Sequence, residues 1–310
     1  MSADQVPNLE DMQAARARLS QHLTGTPLYS SRDAGSPLIR IKYEGRQPTG
    51  SFKVRPALEG VLSLSASERS RGVVTSSSGN FAQAVAYAAA QAGIRATIVM
   101  MRGTSPLKVA RTKALGATVV ECDPTFDARW ETTARLQQEL GATLLHPYDS
   151  PATIRGNGTL GLEILEQIDG DFECYVPVSG GGLVAGIALA LKAMRPGCRV
   201  YGVQSEANPS AVRSFEAGKR VRLPEPKTIA DALVAPIPGE LAFEMHRIFV
   251  DGFLTVSEEE IRNAMRRLFE VEKLVVEPGG AVPYAAALKA KSTRPLVVIV
   301  SGSNVAWPAH

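Results

Sequence analysis

From residue 38 onward, short runs of β-branched and other apolar residues alternate with stretches whose apolar positions recur every three or four residues. The runs 38–43, 72–76, 96–101, 117–121, 173–178, 199–204 and 295–301 read as strands, because each is short, rich in valine and isoleucine, and bounded by turn residues. Strands alternating with helical segments predict a mostly parallel sheet covered by helices, and hence an α/β fold. Two helices carry their own boundaries. Asn80 to Ala92 is alanine-rich and closed by Gly93, a residue suited to the left-handed turn that ends a helix. Ser257 and Glu260 form a capping box ahead of Ile261, Met265, Leu268 and Phe269, four residues on one helical face that are expected in the core. No internal repeat, low-complexity tract or linker stands out, so composition draws no domain boundary.

Composition then narrows the class. At 310 residues the chain has room for about two domains. Hydrophobic residues make up 45% and charged residues 21%, an ordinary balance for a soluble globular protein. A net charge of only +3 gives no electrostatic case for nucleic acid or membrane as a partner. Cys122, Cys174 and Cys198 show no paired spacing and read as reduced thiols of a cytoplasmic protein. The amino terminus, MSADQVPNLEDM, lacks the apolar segment of a signal peptide. One uncharged run, Cys174 to Leu191, reaches marginal membrane-spanning length, but Pro177 and the glycines at 180–182 divide it into a strand and a helix. His22, His146, His246 and His310 form no i,i+4 pair, which argues against a zinc site or a histidine-based triad.

Four short motifs carry candidate chemistry. In Pro48-Thr49-Gly50-Ser51-Phe52-Lys53 a turn precedes a lysine that follows an aromatic residue. Desolvation of such a lysine leaves a fraction as the neutral amine that condenses with an aldehyde, although the same lysine also reads as a surface residue at a helix start. Ser76-Ser77-Ser78-Gly79-Asn80-Phe81 lies between an apolar strand and the alanine-rich helix, where hydroxyls, an amide and free N–H groups can hold a carboxylate. It reads equally as a helix cap with extra serines. Ser179-Gly180-Gly181-Gly182-Leu183 repeats the strand-to-helix placement with a bare backbone that can wrap a phosphate. Gly180, Gly182 and Ala185 with Glu206 also match a dinucleotide-binding pattern, which keeps a nucleotide-binding oxidoreductase open. Ser301-Gly302-Ser303-Asn304 follows the last strand and offers an uncharged hydroxyl for a ring nitrogen.

In this order and spacing the four motifs resemble the fold type II pyridoxal-phosphate (PLP) enzymes, specifically the serine/threonine dehydratase and serine racemase family. The resemblance runs through nearly the whole chain. Gly156-Asn157-Gly158-Thr159 is similar to the family's G-Q-G-T turn, Thr228-Ile229-Ala230-Asp231 to its T-I-A-D segment, and Val276-Glu277-Pro278-Gly279-Gly280-Ala281 to its V-E-P-S/G-G-A loop. It implies a tryptophan synthase beta-like architecture: two open twisted-sheet α/β domains with the cofactor in the cleft between them. The large PLP-binding domain would comprise residues 1–52 and 146–310, and the small substrate-gripping domain 53–145. Lys53 would hold the cofactor and move the Cα proton, Ser179 to Leu183 would bind its phosphate, Asn80 its ring hydroxyl and Ser301 its pyridine nitrogen. Ser77, Asn80 and the Phe81 backbone would grip the substrate carboxylate. A homodimer is likewise implied.

Departures from the family pattern bear on the reaction. Serine at 78, where many of the dehydratases carry alanine, matches the racemases and offers a second acid-base group on the opposite ring face. Phe81 replaces a histidine, Pro56 a glycine and Asn157 a glutamine, which points to an unusual substrate. Gln204, Asn208 and Ser210 stand where part of the family places carboxylates for a divalent cation, so no metal is expected there. Only nine residues follow Ser301, too few for the regulatory domain of biosynthetic threonine dehydratases. The leading expectation is therefore a cytoplasmic PLP-dependent ammonia-lyase that converts a small β-hydroxy amino acid such as L-threonine or L-serine to a 2-oxo acid and ammonia. The alternatives are an amino-acid racemase using Lys53 and Ser78, the oxidoreductase above, and a non-catalytic amino-acid-binding relative.

Overall fold

The computed structural model describes residues 6–33 and 38–305. His310 and the first five residues of the acidic amino terminus lie outside them. Among the described residues there are ten strands: β1 (Leu28–Ser30), β2 (Ile39–Tyr43), β3 (Val73–Ser76), β4 (Ala96–Met101), β5 (Thr118–Cys122), β6 (Thr143–Leu144), β7 (Glu173–Pro177), β8 (Arg199–Ser205), β9 (Gly252–Val256) and β10 (Leu296–Val300). They form a six-stranded sheet in the order β1-β2-β10-β7-β8-β9 and a four-stranded sheet in the order β5-β4-β3-β6. Only β1 runs antiparallel to its neighbour. β1, β6 and β9 are not among the strands expected from the sequence. The first two have three and two residues, too few for a periodic pattern; β9 is a short apolar run, Gly-Phe-Leu-Thr-Val, that pairs with β8 at the sheet edge.

The central strand β10 explains why the large sheet reads as continuous apolar runs. Val298 and Val300 enter one core with Ile39, Ile41, Val282, Tyr284, Ile261 and Leu268. Val297 and Ile299 enter the opposite core with Cys174, Val176, Leu160, Ile164, Val184 and Ile187. A strand buried on both faces needs no polar alternation. The small sheet packs Val73, Ile98 and Met100 against Phe81 and Val85 of helix Asn80–Ala92 and Leu58 and Val61 of helix Val54–Leu62.

Both expected helix boundaries are present. Gly93 adopts φ 66° at the end of helix Asn80–Ala92, and the Ser257–Glu260 box caps Glu258–Glu270. On the latter, Ile261 and Leu268 are fully buried and Met265 is partly so. Phe269 is not a core residue: it is 53% exposed, at the edge of the apolar stripe. Gly156-Asn157-Gly158-Thr159 is not a turn either, but lies inside helix Pro151–Gln167. A Cβ at Gly156 would fall 2.6 Å from Pro56 Cα, so this glycine serves helix packing. All three cysteines are free and buried. The uncharged run from 174 divides into β7 and helix Gly182–Met194, and among the described residues no helix is long and apolar enough to cross a membrane.

Candidate active site

The four motifs converge because each follows the carboxyl end of a parallel strand, where open α/β sheets form their ligand crevices. β2 leads through the 3-10 turn Glu44–Arg46 and the positive-φ Gly50 to Ser51, Phe52 and Lys53. β3 leads to Ser77–Asn80, β7 to Ser179–Gly182 and β10 to Ser301. A single antiparallel bridge between Ser51 and Gly302 ties the first motif to the last. Lys53, Ser77, Ser78, Asn80, Phe81, Ser179, Gly180, Gly181, Gly182, Leu183 and Ser301 all border one cavity of about 640 Å³.

Lys53 immediately precedes helix Val54–Leu62. Its Nζ donates to the Pro147 carbonyl at 2.7 Å and lies 5.0 and 5.4 Å from the ring centroids of Phe52 and Phe81. Burial pulls its pKa down to about 8 against the opposing field of Glu277. Roughly a tenth of such amines are neutral at pH 7, against well under a thousandth for an ordinary lysine.

Two helices open into this cavity with no side chain capping their amino termini. Helix Asn80–Ala92 begins at Gly79, and helix Gly182–Met194 begins at Gly181 with φ 97°. The serines before Asn80 therefore do not cap the helix, and both sets of first-turn N–H groups are left for an anion. The glycine loop is held from behind. A Cβ at Gly181 would fall 2.3 Å from the His246 ring, and one at Gly182 would fall 2.2 Å from the Tyr148 carbonyl oxygen. Burial pulls the His246 pKa down to about 4, and the neutral ring donates from Nε2 to the Gly181 carbonyl at 3.0 Å. Ser179 Oγ accepts from the Ala235 N–H at 3.1 Å.

The remaining candidates have defined partners. Asn80 Nδ2 donates to Glu277 Oε1 at 2.7 Å, and Asn80 Oδ1 accepts from Asn304 Nδ2 at 2.9 Å. Burial pushes the Glu277 carboxyl up to about 7; Asp231 adds to this, and the Asn80 bond, Lys108 and Lys53 oppose it. Ser78 Oγ lies 3.0 Å from Thr104 Oγ1 and accepts from the Met101 N–H at 3.3 Å. Ser77 Oγ accepts from the Gly79 N–H at 3.3 Å. Phe81 is only 2% exposed, with its ring in the small-sheet core. The Ser301 carbonyl accepts from the Phe52 N–H at 3.0 Å.

Glu206 is exposed and does not border the cavity, so the dinucleotide pattern is not assembled around it. Gln204, Asn208 and Ser210 are buried and bond to backbone. Gln204 Oε1 accepts from the Ala211 and Val212 N–H groups, and Asn208 Nδ2 and Ser210 Oγ donate to the Ala235 carbonyl. Glu277, Arg129 and Tyr148 also line the cavity, and the sequence reading assigned them no role. Glu277 had a usable signal as the one charge between Lys273 and Lys289. Arg129 had none, since it lies on a helix rich in other polar residues.

An amine of lowered pKa on a cavity with two uncapped helix starts can condense with an aldehyde while two anionic groups are held beside it. Residues 19–302 match the family of pyridoxal-phosphate dependent enzymes, and the chain belongs to that family. It falls within the serine/threonine dehydratase and serine racemase group. It is 41% identical over 302 residues to an L-threonine ammonia-lyase of Thermotoga maritima, covering 96% of this chain and 75% of that protein. An L-threo-3-hydroxyaspartate ammonia-lyase of Saccharomyces cerevisiae is 39% identical over 306 residues, covering 97% and 94%. The structure of maize serine racemase superposes with a TM-score of 0.93 at 38% identity, covering 97% and 94%. The family's cofactor is pyridoxal phosphate, and the fold is its two-sheet type II fold.

Proposed function

We propose that the protein is an ammonia-lyase for a small β-hydroxy amino acid, of which L-threonine and L-serine are the simplest. The observation that carries this reading is the pair of uncapped helix starts on the cavity that holds Lys53. The residues present fit the cofactor. The loop Ser179 to Leu183 and the start of helix Gly182–Met194 would hold its phosphate, Asn80 would face its ring hydroxyl, and Ser301 would offer an uncharged partner for its ring nitrogen. Once bound, pyridoxal phosphate supplies an electron-withdrawing ring that acidifies the α-hydrogen of an attached amino acid.

Ser77, Asn80 and the Phe81 N–H at the other helix start hold the substrate carboxylate and so orient the Cα–H bond. Lys53, when its amine is free, accepts the Cα proton. The Cβ–O bond breaks, the hydroxide leaves with a proton as water, and the enamine product hydrolyses to a 2-oxo acid and ammonia. A neutral partner at 301 would limit charge build-up on the ring and so favour elimination over transamination.

A racemase reading is supported by one position. The Ser78 hydroxyl, tied to Thr104 and Met101, can return a proton to the opposite face of Cα. Incubation with L-threonine and L-serine, following 2-oxo acid, ammonia and the chirality of recovered substrate, tests both. Ammonia and 2-oxo acid in equal amounts support the lyase, and their absence with every β-hydroxy amino acid overturns it. Ser78→Ala should suppress racemisation about tenfold or more while elimination is reduced far less; equal loss of both removes Ser78 from the proton transfer. We further propose that residues 53–145 form the smaller of two domains closing over the cavity, in a cytoplasmic homodimer.

A further inference from the structure

Helix Glu240–Phe249 backs the glycine loop on the side away from the cavity. None of its residues borders that cavity, whereas Gly180, Gly181 and Gly182 all do. Two carbonyls of the loop are bound on the helix side. The Gly180 carbonyl accepts from the N–H of Gly239, the residue that opens the helix, at 2.9 Å. The Gly181 carbonyl accepts from the Ala185 N–H at 3.1 Å and from His246 Nε2 at 3.0 Å. A carbonyl can only accept, so Nε2 carries the proton. His246 is 1% exposed, its ring lies 5.4 Å from that of Phe253, and none of the proton transfers above uses it.

The N–H of a trans peptide points opposite to its carbonyl. With the Gly180 carbonyl held by Gly239, the Gly181 N–H is turned away from helix Glu240–Phe249, and with the Gly181 carbonyl held by His246, so is the Gly182 N–H. Gly182 opens helix Gly182–Met194, where first-turn N–H groups have no acceptor within the helix. The Ala185 bond is the one every helix start makes; the imidazole adds a second restraint on the same oxygen. That restraint acts where the chain is most pliable. Three successive glycines lose more backbone freedom on ordering than any other residues, and Gly181 sits at φ 97°. The fit is close, since a Cβ at Gly181 would fall 2.3 Å from the His246 ring.

We propose that His246 is a positioning residue for the cofactor: its imidazole N–H pins the Gly181 peptide and so keeps the Gly182 N–H in place for the phosphate of pyridoxal phosphate. This rests on the assignment of the glycine loop to the phosphate and is independent of which amino acid is the substrate. The ring itself does not border the cavity. It orders the loop before the phosphate arrives, a cost that binding would otherwise carry.

The test measures the dissociation constants of pyridoxal phosphate and of pyridoxal, which lacks the phosphate, for the full-length chain freed of cofactor. Both probes offer the same aldehyde to Lys53, so the ratio of the two constants isolates the phosphate. The wild type should hold pyridoxal phosphate at least about 100-fold more tightly than pyridoxal. His246→Leu, which fills the space without a donor, should weaken pyridoxal phosphate about 10- to 30-fold and pyridoxal less than about threefold. His246→Gln, whose amide N–H reaches as far as Nε2, should return pyridoxal phosphate to within about threefold of the wild type. His246→Asn, an amide too short to reach, should behave like His246→Leu, and the glutamine and asparagine variants decide the matter if the leucine variant does not fold. Equal weakening of both probes would make His246 a general support of the fold and overturns the proposal, as does a pyridoxal phosphate affinity unchanged in His246→Leu and His246→Asn. If the wild type holds the two probes equally, the loop does not bind the phosphate, and its assignment falls together with the proposal. No amino acid enters these measurements, so failure of the lyase reading leaves their outcome intact.

Discussion

Lys53 and Arg55 are two residues apart in the chain, yet they sit in two opposite kinds of buried electrostatics. Arg55 Nε and Nη2 donate to Glu44 at 2.7 and 2.8 Å, and Nη2 also donates to Glu163 at 2.9 Å. Glu163 in turn accepts from the fully buried Lys42. At Arg55 the two carboxylates together outweigh burial, so its pKa rises. Lys53 has one carbonyl as its partner and no carboxylate in contact among the described residues, so burial wins and its pKa falls. Matched buried charges fix helix Val54–Leu62 against helix Pro151–Gln167; the unmatched lysine at the start of that helix is left reactive. Burial of charge alone therefore says little about function, whereas burial without a matching partner marks the chemistry.

Substitutions on the two sides should have opposite signatures. The largest effect is expected from Lys53→Ala, which should lower turnover on the order of 10⁴-fold or more and release the cofactor's visible absorbance on desalting. Compared as cofactor-free proteins, its unfolding midpoint should equal or exceed that of the wild type, because a buried cation without a carboxylate partner is removed. Turnover at even a hundredth of the normal rate would remove Lys53 from the reaction.

Glu163→Ala breaks the matched side. It leaves Lys42 without its carboxylate partner and Arg55 with Glu44 alone, and should cost about 3–5 kcal/mol in chemical denaturation. A loss under 1 kcal/mol would show that the cluster is not the clamp described here.

The smallest effect belongs to Glu277→Gln and depends on pH. The Glu277 carboxyl is raised from 4.5 to about 7. Between those values the folded chain holds a proton that the unfolded chain has released. That contribution to stability is complete below 4.5 and is lost as pH rises through 7. A glutamine cannot titrate, so the variant should gain on the wild type between pH 5 and pH 8, by on the order of 1–3 kcal/mol. Parallel stability curves for the two proteins would mean that the carboxyl is ionised throughout, as an ordinary paired acid.

The same contrast shows how much could be read in advance. Lys53, the serine and glycine loops and Ser301 each follow an apolar strand in the sequence, and strand-end loops are where a parallel sheet presents ligand groups. Their convergence was legible from local pattern and family resemblance together. Glu277 was visible as an isolated charge but had no partner until Asn80 was brought to 2.7 Å from a distant segment. Arg129 looked like any helical surface arginine. The Phe269 reading failed because a helical stripe shows which residues share a face, not where the covered part of that face ends.

The sequence alone determined the strand-helix alternation, the helix boundaries at Gly93 and Ser257, and the order of the ligand loops, because each depends on side chains within a few residues of one another. Tertiary structure decided which buried charges are matched. It also decided that two helix starts remain uncapped toward one cavity, and that Arg129 borders that cavity with no ion pair among the described residues. Those properties depend on distances between segments far apart in the chain, and desolvation exists only once the segments have packed.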